Sequence, residues 1–196
     1  MEMTGQGPTE ENKMDEKSKM QKGEPFNVNM DDNLLKERRE CRELCFEYNQ
    51  ISAVNGSERR KKIRGILGSV KGDMINVEPP FFCDYGWNVE VGENFYSECN
   101  LVIQDAGGVT FGDNVFVGPN CGFYTKARPF DFERRSEGVE FARPIKVGDN
   151  VCFGPNVHVM QGVTIGKGAY ILGGSVVTDD VPENAIMSGN PAVQIN

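Results

Sequence analysis

The side chains able to do chemistry in this 196-residue chain are few and scattered. There is one histidine, His158, and there are six cysteines, Cys41, Cys45, Cys83, Cys99, Cys121 and Cys152, with no Cys-x-x-Cys pair among them. Zinc prefers close sets of Cys and His ligands, so a metal site has little to work with and none is expected. The thiols read as free and buried, packing as small hydrophobes. Cys41 and Cys45 lie one helical turn apart, which the apolar face of a helix explains. Cations concentrate in the run Arg59, Arg60, Lys61, Lys62 and Arg64. Such a run can bind phosphate, but acids in the same segment balance it, and a solvated helix face is the simpler reading. Residues 73–196 carry only 7 basic side chains against 16 acidic ones, which repels anions and argues against a nucleic-acid partner.

The element that must position any reactive group is a repeat of six. From Val147 to Val177 every sixth residue is aliphatic or aromatic: Val147, Phe153, Val159, Ile165, Ile171 and Val177. A second small or apolar set, Val151, Val157, Val163, Ala169 and Ser175, follows four positions after each of the first five. Helices want apolar residues every three or four positions and half-buried strands every two, so a sustained six predicts an all-β solenoid of hexapeptides. The period is already visible at Val91, Ser97 and Ile103, and resumes at Phe111, Val117 and Phe123 after the insertion Asp105-Ala106-Gly107-Gly108, a Gly-rich corner.

Other segments leave the pattern. Residues 1–23 are polar with scattered Met and are expected to form a disordered tail. Residues 24–72 are expected to be a small helical subdomain: one helix capped by Asp31 or Asp32, burying Leu34, Cys41, Leu44, Cys45 and Tyr48, and a second from about Ser57 to Val70. Residues 73–196 form the solenoid, interrupted over 125–143 by Pro129, a charged run and Gly138, an excursion long enough to suggest function. The helices should cap one end of the stack, and the segment from Asp180 to Pro191 the other. No run reaches the length of about 18 apolar residues that a membrane span needs, and Met1–Lys22 lacks the apolar centre of a signal peptide, so a cytoplasmic protein without membrane contact is expected.

The blocks Glu78-Pro79-Pro80-Phe81, Cys83-Asp84-Tyr85-Gly86, Gly92-Glu93-Asn94-Phe95-Tyr96, Gly112-Asp113-Asn114-Val115, Gly148-Asp149-Asn150-Val151, Gly162-Val163-Thr164-Ile165-Gly166, Gly174-Ser175-Val176-Val177-Thr178 and Gly189-Asn190-Pro191-Ala192 follow two short helices. In that order they resemble the maltose and galactoside O-acetyltransferases, over roughly residues 24–196. The resemblance implies a left-handed parallel β-helix and a homotrimer with active sites in the grooves between subunits. It also implies acetyl-CoA as a co-substrate rather than a permanently bound cofactor, donating acetyl to a sugar or other hydroxyl acceptor. On the acceptor side it implicates Asp84, Tyr85, Tyr96, Asn100 and Asp105, and on the donor wall Pro155, Gly173 and Thr178.

Against that pattern the chain departs at several places. A loop histidine in a His-Pro pair is the family's general base, since a hydroxyl is a weak nucleophile near neutrality. Here the loop reads Lys126-Ala127-Arg128-Pro129, and Arg128 has donors only and stays protonated. Glu98 stands where the family usually has Asn, Cys152 where it has an aromatic, and Asp179 and Val193 where it has cations suited to the phosphates of CoA. These departures imply a scaffold whose acetyl transfer is lost or strongly weakened, with Glu98 and Arg128 forming an ion pair across the subunit groove. One alternative is an active O-acetyltransferase with Glu98 as substitute base; the outward His158, in a rung after the loop, is a weaker candidate. Another is a regulatory subunit that mixes with an active paralogue.

Overall fold

A computed structural model describes residues 14–196. Its body is a parallel β-solenoid of about six turns. Each turn contributes short strands to three sheets. The first sheet stacks Ser69–Val70, Val89–Val91, Val109–Phe111, Ile145–Val147 and Thr164–Ile165. The second stacks Ile75–Val77, Phe95–Ser97, Phe116–Val117, Cys152–Phe153, Tyr170–Ile171 and Ile186–Ser188, and the third Phe81–Cys83, Leu101–Gln104, Gly122–Tyr124, His158–Met160 and Val176–Val177.

The period of six is the cause of this shape. Its two apolar positions point inward: Phe153, Val159 and Ile171 are 0% exposed, as are Val157 and Ser175. Phenylalanines continue the column edge to face, with ring centroids 4.9 Å apart for Phe111 and Phe123 and 5.2 Å for Phe123 and Phe153. Burying each such ring contributes roughly 2–3 kcal/mol before packing terms. At the corners the chain turns through left-handed backbone, which Asn tolerates best among residues with a side chain. Asn94, Asn114 and Asn150 occupy one such line with φ of 55°, 56° and 57°. Their amides form a ladder, Asn94 donating to Asn114 at 2.9 Å and Asn114 to Asn150 at 3.0 Å.

Outward-facing residues also align, and the three faces differ. On the first sheet the register column is Ser69, Glu90, Thr110, Lys146 and Thr164, all exposed. On the second it runs Tyr96, Phe116, Cys152, Tyr170 and Ile186. On the third it runs Phe82, Val102, Gly122, His158 and Val176.

Among the described residues four α-helices accompany the stack. Helix α1 (Glu16–Gln21) begins at Asp15, whose carboxylate accepts the Ser18 N–H at 2.6 Å. Helix α2 (Asp32–Asn49) begins at Asp31, which accepts the N–H groups of Asn33 and Leu34, both at 3.0 Å. As expected, α2 buries Leu34, Cys41, Cys45 and Tyr48, with Leu44 half-buried against the same core. It also closes the exposed end of the third sheet: the Asn49 side chain accepts from Phe81 N–H at 2.8 Å and donates to Phe81 C=O at 3.0 Å, as a neighbouring strand would. At the far end, the antiparallel strand Val193–Gln194 pairs with Ile186–Ser188. Helix α3 spans Gly56–Ile66 and α4 Phe132–Ser136.

Two expected boundaries move. Residues Glu16–Gln21 of the expected tail instead form α1, which packs Met20, 1% exposed, into a second apolar cluster with Phe26, Val28, Leu34, Tyr85, Ala106 and Ala142. Met20 is scattered in sequence but finds partners from the stack and the excursion; residues 1–13 lie outside the described part. The second helix stops at Ile66 rather than Val70. Gly68 presses against Trp87, leaving no room for a Cβ, and its N–H donates to Gly86 and Val89, so Ser69–Val70 joins the first sheet as a strand. Among the described residues no helix is long and apolar enough to cross a membrane.

Candidate functional site

The excursion over 125–143 leaves the stack at the edge where the third sheet hands over to the first. Lys126–Ala127 pairs antiparallel with Phe141–Ala142, and α4 sits at the tip. Its base is bolted to the stack by Thr125, fully buried, whose hydroxyl donates to Gln104 C=O and accepts Gly107 N–H at 2.8 Å. Gly107 is required there, since a Cβ would lie 2.7 Å from the Arg143 backbone. On the other side the N-terminal segment braces the excursion through a paired bridge, Phe26 N–H to Glu140 C=O at 3.0 Å and Glu140 N–H to Phe26 C=O at 2.8 Å.

This edge gathers buried charge. Asp105, 0% exposed, accepts the N–H groups of Asp84 and Tyr85 at 3.0 and 2.9 Å. Burial pushes its pKa up to about 6, against the pull of those N–H donors. Burial also raises the Tyr85 phenol. Lys126 Nζ lies 2.7 Å from Asp84 Oδ2 as a charge pair whose angle departs from hydrogen-bond geometry. Arg128, the expected place of a base, holds its guanidinium 3.6 Å from the buried Glu140 carboxylate. Gln104, Lys126, Ala127, Arg128 and Glu140 line a cleft of about 310 Å³. A larger cavity of about 680 Å³ opens beside it between α2 and the third sheet, lined by Arg42, Phe46, Asn49, Phe82, Asp84 and Gln104 among others.

The sequence-derived acceptor set therefore divides. Asp84, Tyr85, Asp105 and Arg128 come together at this edge. Tyr96, Glu98 and Asn100 do not: Tyr96 stacks on Phe116 on the second sheet, at 5.2 Å and 13° between rings. Asn100 turns the corner before the third sheet with φ of 62° and donates to Asn120 at 2.8 Å. The strand Leu101–Gln104 separates Asn100 from Asp105, a span of roughly 16 Å at the usual rise per residue. Glu98 is half-buried on the same far edge and makes no ion pair among the described residues. On the proposed donor wall Pro155 and Gly173 meet on successive turns, where a Cβ on Gly173 would touch the proline ring at 3.0 Å. Thr178 lies beyond the following strand, its hydroxyl donating to Asp179 at 2.7 Å. His158 packs its ring against Tyr124, 5.7 Å between centroids, away from the cleft. Gln104, Lys126 and Glu140 were not anticipated; the available hints were a polar Gln104 just before the Gly-rich insertion and charged Lys126 and Glu140 inside the interruption.

Known proteins resemble this chain in sequence and fold. The maltose acetyltransferase hexapeptide capping motif matches residues 19–72, and the bacterial transferase hexapeptide, six repeats, matches residues 144–179. A putative acetyltransferase of Saccharomyces cerevisiae is 47% identical over 169 residues, 86% of each chain. A maltose O-acetyltransferase from Clostridium difficile 630 superposes with a TM-score of 0.90 at 40% identity, covering 94% of this chain and 97% of that one. A galactoside acetyltransferase in complex with coenzyme A gives 0.89 at 34% identity, covering 93% and 90%.

Proposed function

Because this chain belongs to the hexapeptide-repeat acetyltransferases of the maltose and galactoside type, we propose that it retains their scaffold while its acetyl transfer is lost or strongly weakened. The observation that carries this reading is Arg128 in the cleft, paired with Glu140. Transfer needs a group that takes the acceptor's proton as its oxygen attacks the thioester, a contribution of about 10²- to 10⁴-fold. A guanidinium offers only donors, and its carboxylate partner is held by it. The donor wall adds to the deficit, since Thr178 faces Asp179 where CoA phosphates would want a cation.

The same geometry supports a homotrimer. Acceptor residues on opposite edges of the third sheet form no single site within one chain, and the apolar columns on the second and third sheets suit burial against other copies. In that assembly Glu98 of one copy meets Arg128 of the next as an ion pair replacing the catalytic contact. A sugar or other hydroxyl compound remains the ligand class for the groove, in a cytoplasmic protein.

A second reading has Glu98 as the base of a working enzyme, favoured by its half-buried carboxylate without an ion-pair partner among the described residues. Calorimetric titration of acetyl-CoA into the purified protein separates the two. No heat is expected; micromolar binding with turnover on simple sugars would overturn the first reading. The double variant Arg128→His with Glu98→Asn is expected to stay inactive, because the donor side is missing too.

A further inference from the structure

Three cysteines that are far apart in sequence converge where α2 meets the third sheet. Cys41, Cys45 and Cys83 are 3%, 2% and 6% exposed. Cys83 Sγ lies 3.4 Å from Cys41 Sγ and 3.7 Å from Cys45 Sγ, and all three sulfurs fall within 4.8 Å of one another. We propose that these three thiols form a site for a thiophilic d¹⁰ cation, Zn²⁺ or Cu⁺, held as thiolates. Metal–sulfur bonds of about 2.3 Å in tetrahedral geometry put the sulfurs about 3.8 Å apart, close to what the fold already imposes. Soft thiolate sets select these ions over Mg²⁺ or Ca²⁺.

Access and supply of the remaining ligand come from the same place. Cys45 and Cys83 line the 680 Å³ cavity, which gives an entry path and room for a water as fourth ligand of Zn²⁺. Arg42 lines that cavity too, a cation suited to offset the excess negative charge of three thiolates. As each S–metal bond forms, the thiol releases its proton to solvent; no redox change is needed. Placed between Cys41 and Cys45 of α2 and Cys83 at the end of a strand, the ion would staple the helical cap to the stack.

The test uses the full-length protein, reduced and freed of metal. Zn²⁺ is titrated against a chromophoric chelator and Cu⁺ against a Cu⁺-specific one, and Co²⁺ is added as a spectroscopic stand-in for zinc. One equivalent of Zn²⁺ or Cu⁺ with Kd below about 1 μM is expected. A thiolate-to-Co²⁺ charge-transfer band should accompany it. Cys45→Ser should weaken uptake by about 100-fold or more, and Cys152→Ser should leave it unchanged. If Cys45→Ser does not fold, alkylation of the unmodified protein decides: bound metal should protect Cys41, Cys45 and Cys83 but not Cys152. Uptake weaker than about 1 μM, uptake that follows Cys99 or Cys152 instead, or a disulfide among the three that persists in metal-free protein under excess reductant would each overturn the proposal.

Discussion

The regular wall of residues 144–179 and the edge that gathers Asp84, Asp105 and Lys126 are held together by opposite means. In the wall the buried side chains are mostly hydrocarbon, with Ser175 an exception, and every turn repeats the last. At the edge the buried groups are charged, and each faces a particular partner: one Asp105 oxygen takes two backbone N–H groups, Asp84 lies against Lys126 and Glu140 against Arg128, while Asp84 Oδ2 and Asp105 Oδ2 accept no hydrogen bond among the described residues. Packing tolerates substitution in proportion to volume, whereas paired charge fails when one partner leaves. The lesson is that this scaffold separates what holds it up from what it presents.

The largest effect should come from the wall. Phe153→Ala removes a fully buried ring from the aromatic column and is expected to cost about 3–5 kcal/mol of unfolding free energy, by about the same amount at pH 4 and pH 7 in urea titrations. A strong pH dependence of that loss would erase the contrast. Next, Lys126→Met leaves Asp84 buried without its cation. With 16% and 10% of the two side chains exposed, about 2–3 kcal/mol at neutral pH is expected, below the loss for a fully buried pair.

Asp105 sharpens the comparison through pH. Its pKa is raised from 3.8 to about 6 by burial, so the folded chain holds its proton more tightly than the unfolded chain. Its contribution is therefore complete below about pH 4 and is lost as pH rises through about 6, on the order of 2 kcal/mol. Asp105→Asn keeps an oxygen for the two N–H donors and should flatten that part of the stability profile. A variant with the unmodified slope would assign the dependence to another group. The smallest effect belongs to the outer polar column, where Lys146→Ala should change stability by less than about 0.5 kcal/mol.

How much of this the sequence disclosed follows the same division. A period needs only neighbours along the chain to be seen, so Val147 to Val177 announced the wall, and Asp31 announced its helix. Partners that meet only after folding left little trace. Lys126 and Asp84 are 42 residues apart, just over two turns of the stack, and meet only once the turns are stacked. Met20 found a pocket built from Tyr85 and Ala142. Cys83 joined Cys41 and Cys45 because α2 lies on the strand that ends in it, a juxtaposition that a search for close Cys spacing passes over. The replacement of a histidine by Arg128 was legible from the resemblance; its hold on Glu140 was not.

The excursion has a property that follows from counting. Between the core positions Phe123 and Val147 lie 24 positions, where the next turn needs only 6, from Val159 to Ile165. Register confirms the difference: Thr110 pairs with Lys146 after 36 residues, and Lys146 with Thr164 after 18. The excess of 18 is one full turn's length spent without adding a turn, and its ends are clasped by a single antiparallel pair. The stack above and below thus keeps its phase independently of the excursion's length, which makes this segment an exchangeable cassette: lineages or designers can rewrite the cleft's chemistry there without renegotiating the stack.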